Sequence, residues 1–150
     1  MKNLSIFLMC AAIGSFVSVG CAPHRDAIRE AISDNQKFQG TWAATSYVED
    51  GQGKGETIAP EQSPVRFIFK GNHVTIPADV EGASAKGAFS LRATTRPREI
   101  DLLSMHGIYE FDGADTLKLC YGPEGLKRPK QFTSEPGSGH IMITFKKMSQ

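Results

Sequence analysis

Short runs in which apolar and polar residues alternate recur from residue 40 to the end of the chain. Alternation places every second side chain on the same face of a strand. Tight-turn residues such as Gly71-Asn72 separate the runs. About eight runs occur, which predicts an all-β domain: a lipocalin-like antiparallel meander closed into an eight-stranded barrel. Closure is expected because an open antiparallel sheet leaves edges that template aggregation. The apolar members of these runs are Val65, Phe67, Phe69, Val74, Ile76, Phe89, Leu91, Ile100, Leu102, Ile141, Ile143 and Phe145.

The clearest strand pair lies on either side of the turn 112–115. We predict that one face of this hairpin points into the barrel, and it carries Tyr109, Phe111, Leu117, Leu119 and Tyr121. In the first strand, which starts at Gly40, the same rule places Trp42, Ala44, Ser46 and Val48 on one face.

Residues 22–37 predict a tether and a short helix before the barrel domain, which spans 38–148. Ile28 and Ile32 lie four positions apart and form a narrow apolar face. A helix this short and weakly apolar is not stable alone. We therefore expect it to dock on the barrel through Ile28, Ile32 and Phe38.

Residues 1–20 have the order of a signal peptide: a basic start, an apolar stretch and small residues before Cys21. The apolar stretch is shorter than the ~20 residues that a spanning helix needs. Val19-Gly20-Cys21 resembles the lipobox of bacterial lipoproteins, which implies that Cys21 is lipidated and anchors the protein to a membrane. By the sorting convention of such lipoproteins, Ala22 favours the outer membrane of the cell envelope, if the source has one. Cleavage by the ordinary signal peptidase after Gly20 or Ala22 would instead give a periplasmic or secreted protein.

The charge is close to balanced, with 17 Lys and Arg against 16 Asp and Glu. This balance argues against nucleic acid as a partner, because nucleic-acid binding needs a surplus of cations on one face. Removal of Cys10 with the signal and lipidation of Cys21 would leave Cys120 alone, so no disulfide is expected. A small buried apolar residue is the favoured role of Cys120, and a reactive thiol is the alternative.

No catalytic or metal-binding constellation is recognisable. The four histidines are scattered without the spacing of metal ligands. We expect no metal, no cofactor and no enzymatic activity. Two basic clusters lie in predicted loops, and together they would be able to hold a carboxylate or phosphate if they met at one mouth of the barrel. The clusters are Arg92, Arg96 and Arg98, and Lys127, Arg128 and Lys130.

Several motifs resemble one family, the planctomycete-type lipocalin-like domain, over about residues 36–147. They are Gly40-Thr41-Trp42, Gly107–Gly113, Asp115–Cys120, Lys127-Arg128-Pro129 and Pro136–Gly139. The resemblance implies an exported barrel with Trp42 at its floor. Lipocalins often pack an Arg from near the C-terminus over this Trp, and here Lys146 or Lys147 would have to replace it.

The resemblance leaves two functions open. The first is binding of a small apolar or amphipathic ligand, for which the candidate residues are Trp42, Tyr109, Phe111, Tyr121, Lys127 and Arg128. The second is a structural or protein-interaction role in the cell envelope without a small ligand. The first requires a hollow barrel, because an eight-stranded barrel holds either one small ligand or its own side chains.

Overall fold

Eight antiparallel strands close into a barrel in the computed structural model, and one helix precedes them. The structure describes residues 22–53, 58–77 and 84–149. The predicted all-β, lipocalin-like barrel with a short N-terminal helix is confirmed. The elements are α1 (Ala22–Phe38), β1 (Gly40–Glu49), a 3-10 helix (Pro60–Gln62), β2 (Arg66–Lys70), β3 (His73–Ile76), β4 (Ala85–Arg92), β5 (Arg98–Leu102), β6 (Met105–Asp112), β7 (Thr116–Gly122) and β8 (Ile141–Lys147).

Each strand pairs with its neighbours in sequence, and β1 closes the barrel by pairing with β8. The turn predicted at Gly71-Asn72 joins β2 to β3, with Gly71 at a φ of 63° that favours glycine. Tyr109 faces Leu119 and Phe111 faces Leu117 across the β6–β7 pair. The inward face predicted for this hairpin is therefore confirmed, since all five of its side chains belong to or pack against the core.

The face assignment of β1 is wrong in its second half. A β-bulge between Ala44 and Ser46 interrupts the pairing of β1 with β8. A bulge adds one residue to a strand and so reverses which face the following side chains occupy. Tyr47, rather than Ser46, consequently packs against the core.

The helix docks differently from the prediction. Phe38 is fully buried, as expected, and its ring lies 4.9 Å from that of Phe69 and 5.1 Å from that of Tyr109. Ile28 and Ile32, however, are 46% and 54% exposed. The residue that replaces them at the contact with the barrel is Asp34, which is only 2% exposed. Its buried carboxylate is tolerated because Lys37, Arg98 and Tyr109 surround it with donors.

α1 lies across one end of the barrel, where the side chain of Trp42 forms part of the floor. Trp42 is fully buried and donates a hydrogen bond of 2.7 Å from Nε1 to the carbonyl of Phe38. Lys147 places Nζ 5.3 Å from the centre of the Trp42 ring and also donates to the carbonyl of Lys37. Of the two lysines considered for this position, Lys147 thus occupies it, whereas Lys146 pairs with Asp115 at 2.9 Å. None of the helices within the described ranges is long and apolar enough to cross a membrane.

Candidate functional site at the helix end of the barrel

Aromatic rings fill the barrel interior. Phe67 lies 4.9 Å from Phe145 and Phe69 lies 5.0 Å from Phe89, measured between ring centres. The predicted ligand-binding residues Trp42, Tyr109 and Tyr121 are among the buried core residues. Burial of each large side chain contributes roughly 1.5–3 kcal/mol to stability. These side chains therefore form a packed core, and a ligand site has to be sought at the surface.

An open groove of about 390 Å³ lies beside α1, where β5 begins and β6 ends. Its walls combine aromatic rings with two guanidinium groups, and two of the predicted ligand-binding residues, Tyr109 and Phe111, belong to them. Its lining residues are Arg96, Pro97, Arg98, Tyr109, Glu110, Phe111 and Phe132. A concave site with apolar walls and a few polar groups is the usual form of a small-molecule site, and roughly 300–1,000 Å³ is the usual size.

Arg96 is the cation of this groove that is best placed to bind an anion. Its Nη1 donates to the carbonyl of Ala93 at 3.0 Å and to the carbonyl of Thr95 at 2.8 Å, which fixes the guanidinium. No carboxylate within the described part of the chain lies in ion-pair distance of it. A guanidinium has five N–H donors, so Arg96 has donors left for a ligand.

Arg98 is held by Asp34, the buried acidic residue of α1. Its Nη1 lies 3.4 Å from Oδ2 of Asp34, and the same carboxylate accepts a hydrogen bond of 2.8 Å from the hydroxyl of Tyr109 and one of 3.2 Å from Lys37. Burial, the hydrogen bond to Asp34 and the negative charge of Asp34 raise the pKa of Tyr109 far above its usual value. The phenol of Tyr109 therefore stays protonated and serves as a donor that fixes the floor of the groove.

The two basic clusters do not form one open anion site at a mouth of the barrel. Arg92 and Arg128 instead come together on its outer wall, where both pair with Glu99 and Asp101. Lys127, Arg128 and Lys130 line a second open groove of about 370 Å³, together with His140. The side chain of Arg128 is directed at the barrel wall: Nη1 donates to the carbonyls of Ile100 and Gly107 at 2.9 and 2.5 Å. It therefore holds the loop after β7 against β5 and β6, and its ligand-binding role, like that of Lys127, stays a prediction.

Asp101 neutralises Arg128 from the outer face of β5. Its Oδ1 lies 2.5 Å from Nη2 of Arg128 and 2.7 Å from Nδ1 of His106. Burial alone would raise the pKa of Asp101, but the hydrogen bonds from His106 and Arg128 and the charges of Arg128 and Arg92 outweigh it and lower that pKa. Asp101 thus remains ionised at neutral pH and leaves Arg128 little charge for an outside ligand.

Cys120 is a core residue, and the histidines of the described ranges form no metal site. Cys120 is fully buried, which agrees with the favoured role of a small buried apolar residue, and its Sγ contacts the carbonyl of Thr133 at 3.4 Å. Burial raises the pKa of its thiol. No three His, Cys, Asp or Glu residues come together as metal ligands in the part of the chain that the structure describes. The lipidation candidate Cys21 lies outside the described residues.

Sequence reasoning missed two residues that form or support the groove, Asp34 and Phe132. Asp34 has a helical neighbourhood that resembles any solvated helix, so nothing in the sequence indicates its burial. Phe132 is the single aromatic residue of a polar loop, and this isolated aromatic residue could have indicated a contact site. Arg96 and Arg98 were noted, with Arg92, as a basic cluster, but they were expected to hold an anion only together with the second cluster.

No family model matches this chain, and no similar curated protein or solved structure was found.

Proposed function

We propose that this protein is an exported, membrane-anchored lipocalin-like domain that binds a small amphipathic anion in the groove beside α1. One observation supports this ligand: Arg96 and the rings of Phe111 and Phe132 line the same groove, and Arg96 has no acidic partner among the described residues. A carboxylate or phosphate would accept hydrogen bonds from Arg96, and an apolar body would cover the rings. The packed core favours this outer site over the barrel interior.

The charges around the groove favour a ligand with one negative charge. Arg98 already faces Asp34, and Glu110 lies at the rim of the groove. These two carboxylates offset part of the positive potential, so a second anionic group would gain little. The role is one of binding, without a reaction, and needs no cofactor.

Titration with dodecanoate and with the uncharged dodecanol tests the ligand proposal. We expect dodecanoate to raise the thermal midpoint and to change the emission of Trp42, whose ring lies 6.1 Å from that of Phe111. Arg96→Gln should weaken the binding by about tenfold or more, because a charge-assisted hydrogen bond contributes ~1.5 kcal/mol or more. Lys86→Gln, an exposed cation on β4, is the matched control and should not change the affinity. Equal affinity for both compounds, or for both variants, would contradict the proposal.

The anchor is a separate part of the proposal, and Cys21 carries it. Three acyl chains at this residue would hold the protein firmly, since a single chain gives only marginal binding. Cys21→Ala should release the protein from the membrane fraction and abolish acylation. Membrane retention of Cys21→Ala would rule out the anchor, and the protein would then be placed in the periplasm or outside the cell.

A second candidate function is a structural or protein-interaction domain of the envelope without a small ligand. The filled interior and the exposed Ile28 and Ile32 favour it. Two results together would favour this function. Amphipathic anions would leave the thermal midpoint unchanged, and a protein partner would be crosslinked through α1 in envelopes.

A further inference from the structure

α1 presents an apolar stripe beside β4 that the barrel leaves about half exposed. Ile28 and Ile32 are 46% and 54% exposed, and with Ala31 and Leu91 they line an open groove of about 310 Å³ between α1 and β4. The exposed part of each isoleucine does not gain the favourable free energy of burial. The barrel covers them only in part, because Asp34 and Phe38 occupy the side of α1 that is buried against it.

The charges on α1 are divided between two sides of the helix. Arg25 and Arg29 each lie three residues before an exposed isoleucine, so they stand next to the stripe. Neither has a carboxylate in ion-pair distance among the residues described. At 3.6 residues per turn, Asp26 and Glu30 fall on the side opposite Ile28. The face that carries the isoleucines is therefore apolar with a basic edge, which complements the phosphates of a lipid surface.

The position of the stripe along the chain indicates what covers it. Cys21 directly precedes α1, and Ala22 to Ile28 spans about 9 Å at 1.5 Å per helical residue. Acyl chains on Cys21 would thus enter the bilayer within two helical turns of the stripe. A tether this short gives the stripe a high effective concentration at the lipid surface.

We propose that the Ile28–Ile32 face of α1 lies on the phospholipid surface and fixes the orientation of the barrel on the membrane. Ile28 and Ile32 insert at the boundary between head groups and acyl chains, where amphipathic helices place their apolar face. Arg25 and Arg29 contact lipid phosphates. This inference rests on the proposed acylation of Cys21, but it concerns a different contact.

Site-specific fluorescence in vesicles tests the contact. The acylated full chain is labelled with an environment-sensitive fluorophore at Ile32→Cys, or at Glu124→Cys, an exposed position in the loop after β7. Cys120 is fully buried and so is not labelled in the folded protein. In phosphatidylglycerol–phosphatidylethanolamine vesicles that contain a spin-labelled lipid quencher, we expect loss of emission at position 32 and none at 124.

A second set of variants separates the stripe from the anchor. With the label at Asn35→Cys, the double change Ile28→Ser and Ile32→Ser should abolish the quenching, whereas Ile68→Ser should leave it unchanged. Ile68 is the matched control because it is 37% exposed on the outer face of β2. Mass measurement establishes the acylation of each sample.

The outcomes are distinguishable. Acylated protein whose label at position 32 is not quenched overturns the contact and leaves the anchor in place. Emission at position 32 that is protected from the quencher and rises with protein concentration means that a second copy or another protein covers the face, which also overturns the contact. Absence of acylation overturns both the lipid anchor at Cys21 and the proposed contact of α1 with the membrane.

Discussion

The hydroxyl of Tyr109 donates a hydrogen bond of 2.8 Å to Oδ2 of Asp34 and so joins β6 to α1 across 75 positions of the chain. Both side chains are almost completely buried. Lys37 and Arg98 add their charges to the same carboxylate. A single acidic residue on the helix therefore connects α1, β5 and β6, and it does so at the floor of the groove that we propose binds the ligand.

Removal of this hydrogen bond should loosen the helix. Tyr109→Phe should lower the free energy of unfolding by about 1–2 kcal/mol, because the carboxylate loses a donor in a buried site. Asp34→Asn should cost about 2–3 kcal/mol, since Arg98 and Lys37 lose their counter-ion. Urea unfolding of both variants and of the double variant measures the coupling. Additive effects of the two changes would contradict a direct interaction.

Arg128 should be more important for stability than for ligand binding. Arg128→Lys keeps the charge but loses the planar fork that reaches two carbonyls and Asp101, so we expect a loss of about 2 kcal/mol. Lys127→Ala, at the exposed neighbouring position, should stay within about 0.5 kcal/mol of the parent. Urea unfolding distinguishes the two. Equal stability of Arg128→Lys and the parent would show that the contacts of Arg128 with the two carbonyls and Asp101 do not stabilise the fold.

Local patterns predicted the barrel because most strands alternate apolar and polar residues over part of their length, and burial on one face enforces this alternation. The hairpin of β6 and β7 is the clearest example, since Tyr109 and Leu119 face inward as the two-residue period requires. The bulge in β1 was not predictable, because one additional residue leaves no mark in a run as small and mixed as Ala43 to Ser46.

Long-range pairing explains the failures at the helix and the site. Ile28 and Ile32 are more apolar than Asp34, so a count of apolar residues assigns them to the core. Asp34 is instead buried because its partners are distant in sequence, and only the fold brings them together. The same reasoning applies to Arg128, whose acceptors are carbonyl groups that every residue possesses.

Cys120 should be unreactive in the folded protein. Burial raises the pKa of its thiol, which lowers the fraction of thiolate, and its side chain is inaccessible to reagents. In a Cys10→Ser, Cys21→Ser protein, a disulfide reagent should release no chromophore until denaturant is added, and then one equivalent. Rapid reaction of Cys120 under native conditions would contradict this prediction and support the alternative of a reactive thiol.

Stability should fall at alkaline pH because all three tyrosines resist ionisation in the folded state. The pKa values of Tyr47 and Tyr109 are raised far above 10, chiefly by burial, and burial followed by the charge of Glu49 raises the pKa of Tyr121 to about 12. The unfolded chain releases these protons near pH 10, whereas the folded chain retains them. The stabilising effect is therefore complete below about pH 10 and is lost as the pH rises towards the folded-state values.

Absorbance at 295 nm, followed together with circular dichroism, measures this effect. We expect tyrosinate absorbance to appear only when the barrel unfolds, in one cooperative step above about pH 10. Tyr109→Phe should reduce the dependence of the unfolding free energy on pH by up to about 1.4 kcal/mol per pH unit, the contribution of one proton. Ionisation of Tyr109 and Tyr121 near their ordinary pKa with the circular dichroism unchanged would contradict the burial of these two phenols, including the contact between Tyr109 and Asp34.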